Sequence, residues 1–405
     1  MSPQHMPENE PKSPPLDGLL VADFSRVLAG PLASMFLADL GASVIKVERP
    51  VSGDDTRSWG PPYAGPVTTY YTSVNRNKRS VTLDLADRGD LELARRLAGR
   101  ADVLIENYRP GKLAEFGLDA ASLAEANPGL VYCSISGFGT GAGAHLPGYD
   151  FVAQAVGGLM SITGEPGGSP VKVGVALVDV LTGLHATIGI LAALRERERS
   201  GRGQVVGVNL LSSLLSSLVN QGATYIIGAG VPSAMGNEHP SIAPYETLRT
   251  RDVPIAVAAG NDRQFAAMAA AVGRPELAAD PRFATNRDRV ANRRELVAAL
   301  ESALSAHDAA YWTDRLQSRG VPCGPVNDIG AAIELATRLG LDPVVHHPSD
   351  GEYDIATLAN PITLTLTPVR YHGAPPALGA DDRAVRAWLS ADPAAELPAN
   401  PDTSR

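Results

Sequence analysis

Short apolar runs alternate with longer amphipathic segments through the first half of the chain. The run GLLVADF is typical of a buried strand, PLASMFLADLG predicts a helix from Pro31 to Gly41, and ASVIKVE predicts a second strand. Three further apolar runs follow, SVTLDL, ADVLIEN and GLVYCSIS, with helical stretches such as DLELARRLAGR between them. This alternation predicts an α/β domain with a doubly wound parallel sheet.

A doubly wound, Rossmann-like sheet binds ligands at the carboxyl ends of its strands. The loops SRVLAG, ERPVSGDDTR, NYRPGK and SGFGTG lie at these ends, and Glu48 ends the second strand where a ribose-binding carboxylate could lie. The first loop lacks the G-x-G-x-x-G turn that brings a helix terminus close to a pyrophosphate, which argues against NAD or FAD.

The local composition changes after about residue 228, where glycine, proline and serine become frequent. We therefore expect two domains. The prediction is a large domain over residues 16–225, completed by residues 345–390, and a smaller α+β domain over residues 235–330. The proline-rich segment 1–15 and the segment 391–405 are predicted to be mobile tails.

Composition narrows the choice of ligands. The chain has 405 residues, with 35 Lys and Arg against 44 Asp and Glu, for a net charge of −9, so binding to nucleic acid or to an anionic membrane surface is not expected. We find neither an uninterrupted run of about 18 apolar residues nor an apolar signal core. The two cysteines, Cys133 and Cys323, lack metal-ligand spacing, which favours a reduced, cytoplasmic setting without a metal site.

Basic residues nevertheless crowd the loops at the predicted strand ends. This concentration favours a polyanionic, nucleotide-like ligand such as coenzyme A, although a solvated rim is the alternative for each residue taken alone. The residues are Arg26, Lys46, Arg49, Arg57, Arg76, Lys78, Arg79, Arg109 and Lys112.

One carboxylate lies at a predicted junction of strand and helix. In VGVALVDVLTG, Asp179 follows an apolar, strand-like run and precedes the apolar segment LHATIGILAAL. Backbone N–H groups and the helix dipole favour an ionised carboxylate there. Such a side chain either caps the helix or attacks a substrate.

Seven segments of the chain occur in the order and spacing of a known family. The sequence resembles the class III CoA-transferases, which include formyl-CoA and carnitine CoA-transferases and the related 2-methylacyl-CoA racemases, from about Leu16 to Leu389. The segments are LDGLLVADFSRVLAGPLASMFLADLGASVIKVERP, NRNKRSVTLDL, ADVLIENYRPGKLAEFGL, GYDFVAQAVGG, VALVDVLTG, SGRGQ and RGVPCGPVND.

The resemblance implies roles for individual residues. Asp179 takes the position of the catalytic aspartate that attacks an acyl-CoA thioester. The CoA-binding positions are Arg26 and Val27 beside the pantetheine arm, Arg49, Leu83, Asn107 and Tyr108 around the adenine and phosphates, and Lys112 nearby. The resemblance also implies an interlocked homodimer, with CoA as part of the substrate and no tightly bound cofactor.

The triplet Gly-Tyr-Asp separates the two chemistries of the family. The racemases carry histidine where this chain has Tyr149, and tyrosine, with an ordinary pKa of about 10, is a poor base at neutral pH. Tyr149 and Asp150 are therefore candidate catalytic residues beside Asp179, and the tyrosine indicates a transferase. Tyr149 either donates a hydrogen bond near the acyl group or packs beside the site. A racemase and a catalytically silent CoA-binding protein remain the alternatives.

Acceptor recognition differs from that of the formyl-CoA enzymes. This chain has Leu28 where they have glutamine, and GNEHPSIAPY, with Gly236, Asn237 and His239, where they have a glycine-rich lid. Backbone around Gly137 to Gly143 or Gly236 is the expected source of oxyanion donors. A small carboxylic acid as acceptor and succinyl-CoA as donor are expected, and Arg57 and Arg76 either bind a second carboxylate or form salt bridges.

Overall fold

Six parallel strands form the central sheet of the computed structural model, which describes residues 13–347 and 355–398. In chain order, the elements up to residue 226 are β1 (Leu20–Asp23), α1 (Ala29–Asp39), β2 (Ser43–Glu48), β3 (Tyr63–Ala64), β4 (Val67–Thr68), α2 (Thr69–Thr72), β5 (Lys78–Thr82), α3 (Arg88–Arg100), β6 (Val103–Glu106), α4 (Ala120–Leu123), β7 (Val131–Ser136), α5 (Asp150–Val156), α6 (Leu177–Ser200), β8 (Val205–Asn209), α7 (Leu210–Ser217) and α8 (Val219–Ile226). The remaining elements are β9 (Tyr245–Leu248), β10 (Ile255–Ala258), α9 (Asp262–Ala271), α10 (Asn286–Ala291), α11 (Arg293–Leu304), α12 (Ala309–Gln317), β11 (Cys323–Pro325), α13 (Ile329–Arg338), β12 (Val344–His347), β13 (Ile355–Leu358) and α14 (Asp382–Ser390).

The central sheet has the strand order β5-β2-β1-β6-β7-β8, and every neighbouring pair is parallel. The predicted α/β sheet is confirmed. Its order reverses between β1 and β6, because the chain first moves outward from β1 through β2 to β5 and then returns to the other side of β1. The carboxyl ends of β1 and β6 are therefore adjacent, with β7 next to β6, and their loops converge at one edge.

Helices cover both faces of this sheet. On one face, α3 and α14 bury Leu97 and Trp388 against Leu104 of β6. On the other face, α1 and α6 bury Leu37 and Ile190. The two helices approach closely because α6 has no side chain at Gly183, where a Cβ atom would lie 2.7 Å from the carbonyl oxygen of Ala29. This contact brings the start of α1 next to the first turns of α6.

The described residues divide into two compact units. The first comprises residues 13–157, 173–227, 342–347 and 355–398, and the second comprises 158–172 and 228–341. The predicted boundaries differ in two places, because segment 158–172 packs with the second unit and that unit continues to residue 341. The short excursion 158–172 is held by a hydrogen bond from Gly236 N–H to the carbonyl of Gly164, at 2.8 Å, which no local pattern reveals.

The predicted tails correspond only partly to the structure. Residues 1–12 and 399–405 lie outside the described residues. Residues 391–398, expected in the tail, make contacts with the first unit instead. The Trp388 indole donates to the carbonyl of Ala395 at 2.9 Å, and Arg79 donates to the carbonyl of Pro398 at 2.7 Å.

The second unit contains a three-stranded antiparallel sheet, β11-β10-β9, with helices α9 to α13. Its core is built from Phe265, Met268, Leu300 and Trp312. Two buried arginines hold the segment before β9: Arg289 donates to the carbonyl of Ala243, and Arg293 donates to the carbonyls of His239 and Ile242. The segment that carries His239 is therefore fixed within this unit.

Helix α6 is long and apolar enough to span a bilayer, with a mean hydropathy of 1.8, and among the described residues it alone qualifies. The expectation of no such segment, based on uninterrupted apolar runs, did not identify it. A core helix has the same composition, and α6 buries Ala186, Ile190 and Leu194 against the sheet.

Candidate active site

A cavity of about 190 Å³ opens in the first unit at the carboxyl ends of β1, β6 and β7. It brings together nine of the residues singled out in the sequence: Arg26, Val27, Leu28, Asn107, Tyr108, Arg109, Gly137, Tyr149 and Asp179. The other lining residues include Ala29, Ser136 and Leu210. Loops that are distant in sequence thus converge on Asp179.

Asp179 is the third residue of α6, and it is only 9% exposed. The predicted strand before it does not form, because residues 173–176 adopt an irregular loop instead. The Asp179 carboxylate accepts no hydrogen bond from any residue in the described ranges. It does not cap its own helix, so the capping interpretation is wrong.

The cap comes from another helix. Asp150, the first residue of α5, accepts hydrogen bonds through Oδ1 from the backbone N–H groups of Val178 at 2.8 Å and of Asp179 at 3.2 Å. Burial, together with the negative charge of Asp150, raises the pKa of Asp179 to about 7. The expectation that the helix start favours the ionised form of Asp179 is therefore corrected, because burial and the charge of Asp150 outweigh it.

The N-terminus of α1 faces the same cavity through Leu28 and Ala29. The N–H groups of Ala29 and Gly30 lie in the first turn, where a helix offers no internal acceptor, and within the described ranges no other group accepts from them. Their partial positive charge lies close to the cavity. These N–H groups were not among the oxyanion donors predicted from the sequence, although proline at position 31 is typical of the first turn of a helix.

Hydrogen bonds fix the loop that precedes α1. Asn107 holds Arg26 from both sides, because its side chain accepts from Arg26 N–H at 3.0 Å and donates to the Arg26 carbonyl at 2.7 Å. Val27 adopts a positive φ of 71°, and its N–H donates to both carboxylate oxygens of Asp54, each at 3.2 Å. Asn107 therefore shapes one wall of the cavity.

A buried ion pair holds Asp54, which is the acceptor of the Val27 N–H in this wall. Lys46 contacts Asp54 at 2.8 Å, with both side chains almost completely buried. Burial alone would raise the pKa of Asp54, but Lys46 and the hydrogen bonds from Thr56 outweigh it and lower that pKa to about 2. The pair is therefore ionised at neutral pH.

Most of the predicted basic cluster is engaged inside the protein. The side chains of Lys46, Arg57, Arg76, Lys78 and Arg79 form ion pairs with Asp54, Glu48, Asp39, Asp23 and Asp381 respectively. Glu48 is likewise buried and bonded to Arg57, so it is not free to bind a ribose. The proposed contact of Arg57 or Arg76 with a substrate carboxylate is wrong, because each guanidinium already neutralises an internal carboxylate.

The exposed cations divide into two groups. Arg26 and Arg49 both contact Asp55, and Lys112 contacts Glu115 in a neighbouring surface pocket. Arg109 lines the cavity and has no ion pair within the described part of the chain. It is therefore the cation best placed to meet an anionic ligand.

Leu83 does not reach the cavity with its side chain. It is 2% exposed and packs in the core with Leu97 and Trp388, so any contact with a ligand there would involve its backbone. Arg49, in contrast, lines a small surface pocket together with Gly53 and Tyr108.

Two tyrosines are associated with the site. Tyr149 precedes α5, is 56% exposed and lines the cavity. Tyr70, on α2, was not identified from the sequence. Burial, and then the charges of Asp179 and Asp150, raise the pKa of Tyr70 to about 12, which places its hydroxyl in the electrostatic field of the two carboxylates. No motif marks it, since α2 is only one turn long.

Gly137 lines the cavity where two backbone segments meet. A Cβ atom at this position would lie 2.7 Å from the Cα atom of Gly148, so a larger residue would push the segments apart. Its backbone forms part of the cavity wall, and its role as an oxyanion donor stays a prediction.

The three lid residues belong to the second unit. Gly236 bonds to Gly164, and the Asn237 side chain donates to Thr247 at 3.2 Å. The Nδ1 atom of His239 accepts from Ser241 N–H at 3.1 Å, so neutral His239 carries its proton on Nε2. Their contact with a substrate stays a prediction.

Within the described ranges, no group of three or more His, Cys, Asp or Glu side chains is arranged to hold a metal ion.

Comparison with known proteins agrees with this geometry. The model of CoA-transferase family III matches residues 16–382. A succinyl-CoA:glutarate CoA-transferase of Mus musculus is 43% identical over 344 residues, covering 84% of this chain and 79% of that protein. An acetyl-CoA:oxalate CoA-transferase of Acetobacter aceti is 44% identical over 334 residues, covering 82% and 86%.

A solved structure is also similar. The crystal structure of a CAIB/BAIF family protein from Brucella suis is 42% identical, with a TM-score of 0.83, and the match covers 93% of this chain and 100% of that one. The chain therefore belongs to CoA-transferase family III. It is an acyl-CoA:carboxylate CoA-transferase, and the transferase interpretation of the sequence is confirmed.

Proposed function

We propose that Asp179 is the nucleophile through which this enzyme moves CoA from succinyl-CoA to a small dicarboxylic acid. One observation carries the proposal: the Asp179 carboxylate is buried, accepts no hydrogen bond from the described residues and lines the cavity at the carboxyl edge of the sheet. A carboxylate that neither caps a helix nor pairs with a cation is costly to bury, and such groups cluster at functional sites.

The first half of the reaction would proceed in two steps. A carboxylate oxygen of Asp179 attacks the thioester carbonyl of the donor, the C–S bond breaks, and CoA leaves as its thiolate. The product is a mixed anhydride between Asp179 and the donor acid. The thiolate then attacks the Asp179 carbonyl carbon, which releases the donor acid as a carboxylate and leaves an aspartyl-CoA thioester.

The second half repeats these steps in reverse. The acceptor carboxylate attacks the aspartyl thioester, CoA thiolate leaves, and a new mixed anhydride forms. Attack of the thiolate on the acyl carbon of the acceptor yields the product acyl-CoA and restores the Asp179 carboxylate. No water, metal or redox partner enters the balance.

Each tetrahedral intermediate places negative charge on a carbonyl oxygen. The free N–H groups of Ala29 and Gly30 at the start of α1 would stabilise this charge, since their donors are fixed before the reaction begins. Backbone at Gly137, which also lines the cavity, is a second source. Arg109 would bind a phosphate of CoA, and Tyr149 would donate a hydrogen bond near the acyl group.

The named relatives support the choice of substrates. The Mus musculus protein is named for succinyl-CoA and glutarate, and the Acetobacter aceti protein for acetyl-CoA and oxalate. Both acceptors are dicarboxylates. We therefore infer a small dicarboxylic acid as the acceptor of this enzyme.

Exposed apolar residues support a homodimer, interlocked as the resemblance implies. On and just after α8, Tyr225, Ile226 and Ile227 are 65%, 81% and 77% exposed. Large apolar side chains exposed at three consecutive positions favour an interface. Both cysteines are free, which is in keeping with a reducing, cytoplasmic setting.

The test compares Asp179→Ala and Asp179→Asn with the wild type in a mass-spectrometric assay of CoA exchange between succinyl-CoA and glutarate, oxalate or related acids. Both variants should lose at least 1,000-fold in kcat, roughly the scale seen when a nucleophile is removed, while still binding CoA. Borohydride reduction of wild type incubated with succinyl-CoA should modify Asp179. Asp280→Asn, which removes a partly exposed carboxylate of the second unit that pairs with Arg282, is the control. Near-normal turnover in Asp179→Ala would overturn the proposal.

A further inference from the structure

Two side chains of α5 hold the segment that leads into α6. Asp150 and Gln154 lie one helical turn apart, are 9% and 0% exposed, and point the same way. Gln154 Nε2 donates to Asp150 Oδ2 at 2.7 Å, which joins the two side chains. They act as one hydrogen-bonded unit inside the protein.

This unit contacts both ends of the segment from Val173 to Asp179. At one end, Gln154 Oε1 accepts from Val173 N–H at 2.9 Å, and Gln154 Nε2 also donates to the carbonyl of Val175 at 3.3 Å. At the other end, Asp150 Oδ1 accepts from Val178 N–H and Asp179 N–H. Residues 173–176 have no strand or helix of their own, so these bonds define their path.

The same contacts explain why the Asp179 carboxylate does not cap its own helix. The residue at the N-cap of α6 is Ala176, which has no side-chain acceptor. Asp150 supplies the missing acceptor from a different helix, and the carboxylate of Asp179 is thereby released from the capping role that acidic residues usually take at this position.

Asp150 also brings a charge without a counterion. It forms no ion pair among the described residues, and it is not one of the residues that line the cavity. Of the titratable groups near Asp179, Asp150 comes from α5 and Tyr70 from α2. The loops add four groups that line the same cavity: Arg26, Tyr108, Arg109 and Tyr149. Helices α1 and α7 contribute only Ala29 and Leu210 to the lining.

We propose that Asp150 is a positioning residue for CoA transfer, which holds the first turn of α6 and keeps a negative charge beside Asp179, and that Gln154 orients it. The proposal rests on the assignment of Asp179 as nucleophile. It replaces the expectation that Asp150 is itself catalytic. A carboxylate beside another carboxylate becomes more basic and hence a stronger nucleophile, which is useful for attack on a thioester.

Two substitutions separate the geometric and electrostatic roles. Asp150→Asn retains an oxygen that accepts from Val178 and Asp179, but it removes the charge and the oxygen that accepts from Gln154. The acid limb of kcat/KM should then move to lower pH by about one pH unit, the scale of one neighbouring charge, with the KM for succinyl-CoA changed less than about twofold. Asp150→Ala removes both functions, and its kcat should fall about 100-fold or more.

A second readout does not depend on activity. The rate at which a water-soluble carbodiimide modifies Asp179, followed by mass spectrometry against pH, reports the protonated fraction of that side chain. The midpoint should lie near pH 7 in the wild type and lower in Asp150→Asn, while Asp280→Asn should leave it unchanged. An identical midpoint in wild type and Asp150→Asn would overturn the inference. Borohydride modification of a residue other than Asp179 would instead overturn the proposed function.

Discussion

The carboxylate of Asp150 accepts a hydrogen bond from the backbone N–H of Asp179, with 3.2 Å between oxygen and nitrogen. Two acidic residues therefore meet at the start of α6, and only one of them caps the helix. Because Asp179 is buried and lies close to the charge of Asp150, its pKa is raised to about 7. The protonation of the proposed nucleophile is thus sensitive to pH near neutrality.

The rate of transfer should depend on pH through Asp179. Only the carboxylate attacks a thioester, so kcat/KM should fall about tenfold for each step of one pH unit below pH 7 and level off above it. The measurement is kcat/KM for succinyl-CoA between about pH 5 and pH 9, with glutarate saturating. A profile that stays flat across the acidic half of this range would contradict the raised pKa.

Replacing Asp179 should stabilise the folded protein at high pH. The folded pKa of about 7 lies above the ordinary value of 3.8, so the stability associated with the protonated form is fully present below the ordinary pKa and lost as the pH rises through 7. Asp179→Asn avoids this loss. Its free energy of unfolding should exceed that of the wild type at about pH 8 by up to about 4 kcal/mol, because each pH unit between the folded and unfolded pKa values of Asp179 corresponds to about 1.4 kcal/mol.

Urea unfolding at about pH 4 and about pH 8 measures this difference. The higher free energy of unfolding of Asp179→Asn should be seen at about pH 8. It should nearly vanish at about pH 4, where wild-type Asp179 is protonated in the folded state. An equal difference at both pH values would mean that the amide acts through packing rather than through charge.

Arg109 should contribute to acyl-CoA binding but little to folding. It lines the cavity and has no ion pair in the described part of the chain. Loss of a charge-assisted hydrogen bond to phosphate, worth about 1.5–3 kcal/mol, predicts that Arg109→Ala raises the KM for succinyl-CoA about tenfold or more.

The matched control is Arg202→Ala, which removes an exposed arginine before β8, at the opposite edge of the sheet. It should leave the KM unchanged. The KM of Arg109→Ala should also depend less on salt concentration than that of the wild type. If both variants behave alike, Arg109 does not contact the ligand.

The buried ion pair of Lys46 and Asp54 should contribute strongly to the stability of the folded protein. Asp54→Ala leaves a buried ammonium group unpaired and removes the acceptor of Val27 N–H. The expected loss in the free energy of unfolding is about 3–5 kcal/mol, the scale for one removed partner of a buried pair.

Asp55→Ala is the comparison for this prediction, because Asp55 pairs with Arg26 and Arg49 at the surface. It should cost less than about 1 kcal/mol. Guanidinium unfolding of both variants decides the matter, and a loss of similar size in each would argue against a special role for the buried pair.

Elements defined by local pattern were predictable. The helix expected from Pro31 to Gly41 is found at Ala29–Asp39, and the strand expected in ASVIKVE is found at Ser43–Glu48. The apolar run before Asp179 was misleading, since VGVA has the composition of a strand but no neighbouring strand to pair with. A strand requires a partner, and composition does not report one.

The sequence by itself determined the alternation of strands and helices, the parallel sheet and the candidacy of Asp179. Only the tertiary structure decided which charged side chains are engaged in internal contacts and which can meet a ligand. Arg76 contacts Asp39, which lies 37 residues away in the sequence, and this ion pair keeps Arg76 in the interior. Asp150 contacts Asp179, which lies 29 residues away, and this hydrogen bond gives Asp150 the capping role. Periodicity is local because the hydrogen bonds of a helix link near neighbours. Ion pairing and protonation instead depend on which distant groups are brought together and on how much water is excluded around them.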